Sequence, residues 1–279
     1  MPKAHVNGID LYYESKGEGV PLFLIQGFAG GHRGWFLQTR AFAKNYKLIV
    51  AGNRGIGSKG HTEKGYTIKT LADDMIGLMD YLGIDKAHIL GLSMGGIIAQ
   101  EIAIEYPERV MKVVLASTLA DADRPYTDEE IELIFRHQRT PKMLEVLDLG
   151  EGEFKVDIET VDVMRFFNTV TELGFNKSIY RLIIPFQRIY ARRIGAEAIM
   201  EQLRAVQRCD TFDRLHKIKA PTLVICGTED RLISPISSDV IADRVPDSKL
   251  VKIEGGSHSI HMEMPRRFNR EVLDFLGDG

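Results

Sequence analysis

The sequence predicts an α/β fold: a mostly parallel, doubly wound sheet with a helical cap inserted between core strands. Three observations predict it. Short, continuously apolar runs recur along the chain, among them Leu22-Phe-Leu-Ile25, Leu48-Ile-Val-Ala51 and Val113-Val-Leu-Ala116. Stretches with apolar residues at helical spacing separate them. The alternation breaks near Leu119 and resumes at Ala220, before Thr222-Leu-Val-Ile-Cys226. A strand apolar at every position is buried on both faces, which implies parallel strands covered by helices on either side.

Each element has its own signal. Asn7-Gly8 lies between two apolar runs, and both residues tolerate positive φ, so a hairpin is expected there. Residues 67–82 place Ile68, Leu71, Met75, Leu78, Met79 and Leu82 on one helical face. The run His88-Ile-Leu-Gly-Leu92 reads as the next strand, and residues 94–106 as the helix after it. Residues 120–212 carry no strand run. Candidate helices there cover 126–138, 160–173 and 179–207, and the segment as a whole contains Met143, Leu147, Met164, Phe166, Phe167, Phe175, Tyr180, Phe186 and Tyr190. The expected division is a core of residues 1–119 and 213–279 with a cap of residues 120–212. Lys249-Leu-Val-Lys-Ile253 and a helix over 265–276 complete the core.

Composition narrows the function class. Lys plus Arg number 36 against 39 Asp plus Glu, a net charge of −3 over 279 residues. That balance gives no basic footprint for nucleic acid or for a membrane surface. No apolar stretch reaches bilayer length and no signal peptide is evident, so a cytoplasmic protein is expected. The two cysteines, Cys209 and Cys226, make no disulfide framework, and Cys226 reads as a buried thiol.

The chemistry concentrates in Gly91-Leu92-Ser93-Met94-Gly95-Gly96, which joins a strand to a helix. A serine on such a tight turn is held in a strained conformation, exposed at the sheet edge, with small residues two before and two after. The helix N-terminus behind it supplies N–H groups and positive dipole. A serine hydroxyl needs a base to take its proton, and the base needs an orienting acid. Asp230 follows the strand ending at Cys226, and His258 follows the one ending at Ile253. Three separate loops would then deliver Ser93, Asp230 and His258 to the sheet edge where such sites gather.

With Asn53-Arg54-Gly55-Ile56-Gly57 after the second core strand, these motifs resemble the α/β-hydrolase family over nearly the whole chain. The resemblance implies Ser93 as nucleophile, His258 as general base and acid, and Asp230 as orienting carboxylate. It also implies an oxyanion hole from the N–H groups of Met94 and Phe28, the latter in Gln26-Gly27-Phe28-Ala29-Gly30-Gly31. Two positions depart from the usual family pattern: Gln26 stands for a histidine, and Gly52 for an aspartate. Cofactor and metal are expected to be absent.

The expected activity is hydrolysis of a small carboxylic ester or lactone through an acyl-enzyme. One alternative is C–C bond hydrolysis of a diketone-type ring-cleavage product, though Ser259 stands where such enzymes carry an aromatic residue. Another is a non-catalytic ligand-binding member of the fold. Local alternatives are Glu229 as the acid and a His258/His261 metal pair. Arg181, Arg188, Arg192 and Arg193 read as a solvated cap face or as an anion site. His32 and Trp35 are expected to pack and cap the following helix. A homo-oligomer is compatible with the sequence.

Overall fold

The computed structural model describes residues 2–56, 64–121, 162–176, 186, 189 and 194–277. An eight-stranded sheet runs in the order β1-β2-β4-β3-β5-β6-β7-β8. Its strands are β1 (Lys3–Val6), β2 (Ile9–Lys16), β3 (Val20–Ile25), β4 (Tyr46–Ala51), β5 (Ala87–Leu92), β6 (Val110–Ala116), β7 (Thr222–Gly227) and β8 (Ser248–Ile253). From β4 to β8 all neighbours are parallel, while β1 and β2 form the expected hairpin and pair antiparallel with each other and with β4. Asn7 (φ 47°) and Gly8 (φ 78°) make its turn.

Both faces of the sheet are covered, as continuous apolar strands require. On one face Phe23, Ile25, Ile49, Ile89, Val113 and Val224 pack against α2 (Ile68–Tyr81) and α3 (Met94–Glu105). On the other, Leu22, Leu24, Leu48, Val50, Leu90, Val114 and Leu223 meet Trp35, Phe42, Phe268 and Val272. Phe42 ends α1 (Phe36–Phe42), and Phe268 and Val272 belong to the C-terminal helix (Pro265–Gly277). Consecutive residues of one strand thus serve opposite cores.

Local chemistry sets the helix starts. Thr67 caps α2 with a reciprocal capping box to Thr70. Between β6 and β7 lie α4 (Val163–Leu173), whose first N–H groups are capped by Asp162, and α5 (Ala196–Gln207). The long helix expected over 179–207 is interrupted before α5, because Gly195 takes φ 96°, a non-helical conformation. The helix expected over 126–138 lies outside the described residues, as do Met143, Leu147, Tyr180, Tyr190, Arg181, Arg188, Arg192 and Arg193. Past β7 come α6 (Pro235–Arg244) and, after β8, a one-turn helix α7 (Ile260–Glu263) that hydrophobic spacing does not announce. The C-terminal helix is α8. Both cysteines are buried, and they form no disulfide. Among the described residues no helix is long and apolar enough to cross a membrane.

Behind β4, a buried ion pair ties the loop to α2. Arg54 donates to both carboxylate oxygens of Asp74, at 2.9 Å from Nε and 2.7 Å from Nη2, with both side chains almost wholly enclosed. Asp74→Ala would strip the guanidinium of this bidentate partner in a low-dielectric interior. The expected loss is about 3–5 kcal/mol, which thermal unfolding should record as a fall of about 10 °C in Tm. A shift under about 2 °C would show that the pair contributes little.

Candidate active site

Ser93 occupies the turn between β5 and α3 with φ 56° and ψ −123°, a region that non-glycine residues rarely enter. The turn is over-determined by its bonds. The Ser93 N–H donates to the Ala116 carbonyl at 2.9 Å, and its own carbonyl accepts from Gly96 N–H at 2.7 Å and Thr118 Oγ1 at 2.8 Å. A Cβ on Gly91 would run into the Gly95 carbonyl, and one on Gly95 into the Ile25 carbonyl. Small residues are thus a geometric requirement of the strand–helix approach. The Ser93 side chain is half-buried and faces Gly27: a Cβ placed on Gly27 would stand 3.0 Å from Ser93 Cβ and 3.5 Å from its Oγ.

Asp230 and His258 are brought together directly. His258 Nδ1 lies 2.8 Å from Asp230 Oδ2. The other carboxylate oxygen accepts the N–H groups of Leu232 and Ile233, both at 2.9 Å. The carboxylate is fully enclosed and the imidazole nearly so. Tying Nδ1–H to a carboxylate leaves Nε2 as the proton acceptor. The two loops are stitched to each other: Thr228 N–H donates to Ile253 O at 3.0 Å, Glu229 N–H to Gly256 O at 2.9 Å, and Gly255 N–H to Thr228 Oγ1 at 2.9 Å. Strands β5, β6, β7 and β8 are consecutive in the sheet, so Ser93, Asp230 and His258 share its C-terminal rim. Among the described residues no hydrogen bond joins Ser93 to His258, and such bonds often tighten only when substrate binds.

The loop after β3 turns back beside Ser93. Gly30 N–H donates to Gly27 O at 2.9 Å, and Ala29 stands at φ 50°. Phe28 packs on Phe166 and Phe167 of α4, ring centroids 6.0 and 6.5 Å apart. Met94 is the first residue of α3, so its N–H has no partner within the helix. Gln26 folds its side chain into the loop, close enough that a Cβ at Gly34 would collide with its amide. The Gln26 backbone carbonyl accepts from Asn53 Nδ2 at 3.0 Å. Gly52 would leave room for a side chain, the nearest atom being Tyr12 O at 3.6 Å, and Arg54 takes its carboxylate from Asp74 of α2.

The local alternatives fare differently. Glu229 is exposed and accepts from Asn176 Nδ2 at 3.1 Å, leaving Asp230 alone to meet the imidazole. His261 is buried against Trp35 and Phe268, with ring centroids 5.2 and 6.3 Å away. Trp35 is fully buried, and His32 sits 3.3 Å from Glu14. Neither side chain caps α1, contrary to expectation, because both are occupied in packing and pairing. Spacing also did not mark Gln202. It stands on the buried stripe of α5 with Ala198, Ile199 and Ala205, where an apolar residue is the norm. Its Oε1 accepts from Ala29 N–H at 2.7 Å.

Comparison with known proteins agrees with this fold. The sequence profile of the alpha/beta hydrolase fold matches residues 20–265. A protein provisionally named carbamate hydrolase RutD, from Azorhizobium caulinodans, is 27% identical over all of this chain and 99% of its own. The enol-lactonase of Burkholderia xenovorans LB400 superposes with a TM-score of 0.81 at 25% identity, covering 99% of this chain and 100% of that one. Est816, described as an N-acyl homoserine lactone degrading enzyme, does so with a TM-score of 0.79 at 26% identity, covering 98% and 100%. The chain thus stands among hydrolases.

Proposed function

Because this chain belongs to the alpha/beta hydrolase fold family, we propose that it is a serine hydrolase of small carboxylic esters or lactones. The single observation that carries this reading is the Asp230–His258 bond of 2.8 Å at the sheet rim that also holds Ser93 on its strained turn. Ser93 Oγ attacks the substrate carbonyl carbon while His258 Nε2 takes the hydroxyl proton. The carbonyl oxygen becomes an oxyanion that accepts the N–H groups of Phe28 and Met94, donors that need no reorganisation as charge develops. Collapse breaks the C–O bond, and the leaving alkoxide takes the proton from His258. Water, deprotonated by His258, attacks the acyl carbon and releases the acid. Ser93 regains its proton. Asp230 stays ionised and holds the imidazole throughout. The names of the lactone-cleaving neighbours support the substrate class.

The deciding experiment is labelling with a fluorophosphonate, which reacts only with an activated serine. Stoichiometric modification of Ser93 is expected, and none in Ser93→Ala. Labelling elsewhere, or no labelling of folded protein, would overturn the assignment.

Residues 120–212 serve in this reading as a cap that sets selectivity. Its helices α4 and α5 press Val163, Phe167 and Ile199 onto Ala29, with Phe28, Met164 and Met200 beside them. An apolar wall next to the oxyanion loop favours uncharged acyl groups. Among p-nitrophenyl esters, short and medium uncharged acyl chains should turn over faster than acyl chains that end in a carboxylate. Equal rates across the panel would remove the selectivity claim.

A further inference from the structure

We propose that Gln202 is a positioning residue of the oxyanion site, holding the Phe28–Ala29 peptide in the orientation that catalysis needs. The inference rests on the serine-hydrolase reading above. Gln202 comes from α5, far along the chain from the loop it touches, and is completely buried. Its Oε1 accepts the Ala29 N–H at 2.7 Å, and its Nε2 lies 3.5 Å from the Arg54 carbonyl. One amide therefore spans the loops after β3 and β4.

The turn explains why that bond matters. Gly27 to Gly30 form a hydrogen-bonded β-turn with Phe28 and Ala29 at its centre. Ala29, its third residue, takes φ 50°, a left-handed conformation that is strained for alanine. The relaxed alternative flips the central peptide and brings the third residue to negative φ. That central peptide is the one whose N–H is given to Gln202. Two successive planar peptides are thereby pinned. The Gly27–Phe28 peptide is held through the Gly27 carbonyl, and the Phe28–Ala29 peptide through Gln202. Phe28 N–H, the proposed oxyanion donor, belongs to the first and is hinged to the second at a single Cα. Without the acceptor, the strained turn has a route to relax, and the buried Ala29 N–H has reason to take it.

The test compares Gln202→Met, which keeps length and volume but removes the acceptor, with Gln202→Glu, which restores an acceptor oxygen. A displacement of about 1 Å at a reacting group can cost a hundredfold. Gln202→Met is expected to lower kcat on a p-nitrophenyl ester by about ten- to a hundredfold with KM within about threefold of wild type. Gln202→Glu is expected to recover at least about a third of wild-type kcat. If Gln202→Met does not fold, Gln202→Asn, which withdraws the acceptor by one methylene, takes its place with the same expectation. Wild-type kcat in the acceptor-less variant overturns the proposal. So does a loss carried by KM, or a Gln202→Glu variant as slow as Gln202→Met at equal Tm. Ser93→Ala on the same substrate separates the two readings. If it keeps turnover, the serine mechanism itself fails; if it is dead while Gln202→Met is unimpaired, only the role of Gln202 fails.

Discussion

Replacing Ser93 by alanine is expected to leave a folded protein with turnover lowered at least about a thousandfold. The structural half of the expectation rests on what the substitution spares. The bonds that shape the turn, from Ser93 N–H to Ala116 O and from Thr118 Oγ1 to Ser93 O, involve only backbone atoms of residue 93. Alanine and serine both carry a Cβ, so the cost of φ 56° is common to the two. Tm should move by less than about 2 °C. The chemical half rests on the hydroxyl alone. Without it no acyl-enzyme forms, and what survives is the contribution of the oxyanion donors and of binding, which can still exceed uncatalysed hydrolysis. Steady-state rates on a p-nitrophenyl ester, with a melting curve on the same sample, decide the matter. Turnover within tenfold of wild type in a folded variant would sink the nucleophile assignment.

Much of the core was legible because its signals are local. Leu22 to Ile25 are apolar at every position, and they are buried on two faces by two different sets of helices. Asn7-Gly8 can adopt the turn that few other pairs can, and it does. The Gly91-to-Gly95 motif reads correctly because backbone crowding permits no side chain at either end. Other features depend on partners far away in sequence. Nothing near Gln202 indicates that its amide will meet Ala29, since the partner is set by how α5 lies across two loops. Glu229 and Asp230 are adjacent carboxylates, and only the stitching of the β7 and β8 loops decides that Asp230 turns inward. Gln26 departs from the family's histidine, and its place becomes intelligible only when the space left by Gly34 is seen. Gly195 carried a helix-breaking signal in its residue type alone, overshadowed by the apolar spacing on either side.

The two histidines three residues apart, His258 and His261, should separate cleanly in a pair of substitutions and a pH series. His258→Ala is expected to abolish both turnover and fluorophosphonate labelling, because it removes the only imidazole bonded to Asp230 among the described residues. His261→Phe keeps a ring of similar size between Trp35 and Phe268 and should retain most of both. The role of His261 shows instead in acid stability. Burial pushes its pKa down to about 3, with the neighbouring His258 adding to the effect, and burial pushes His88 down to about 4. An unfolded histidine titrates near 6.5. Below that pH the unfolded chain binds protons that the folded protein refuses, so stability is complete above pH 6.5 and is lost as pH falls toward 4 and then 3. At 1.36 kcal/mol per pH unit, the full spans correspond to about 3 kcal/mol for His88 and about 5 kcal/mol for His261. Their sum is comparable to the whole stability of an ordinary domain. Urea midpoints should therefore drop steeply between pH 6.5 and 4 in the wild type and distinctly less in His261→Phe. An equal slope in the two proteins would mean that His261 is protonated in the folded state. An inactive but folded His261→Phe beside an active His258→Ala would instead reverse the assignment of the base.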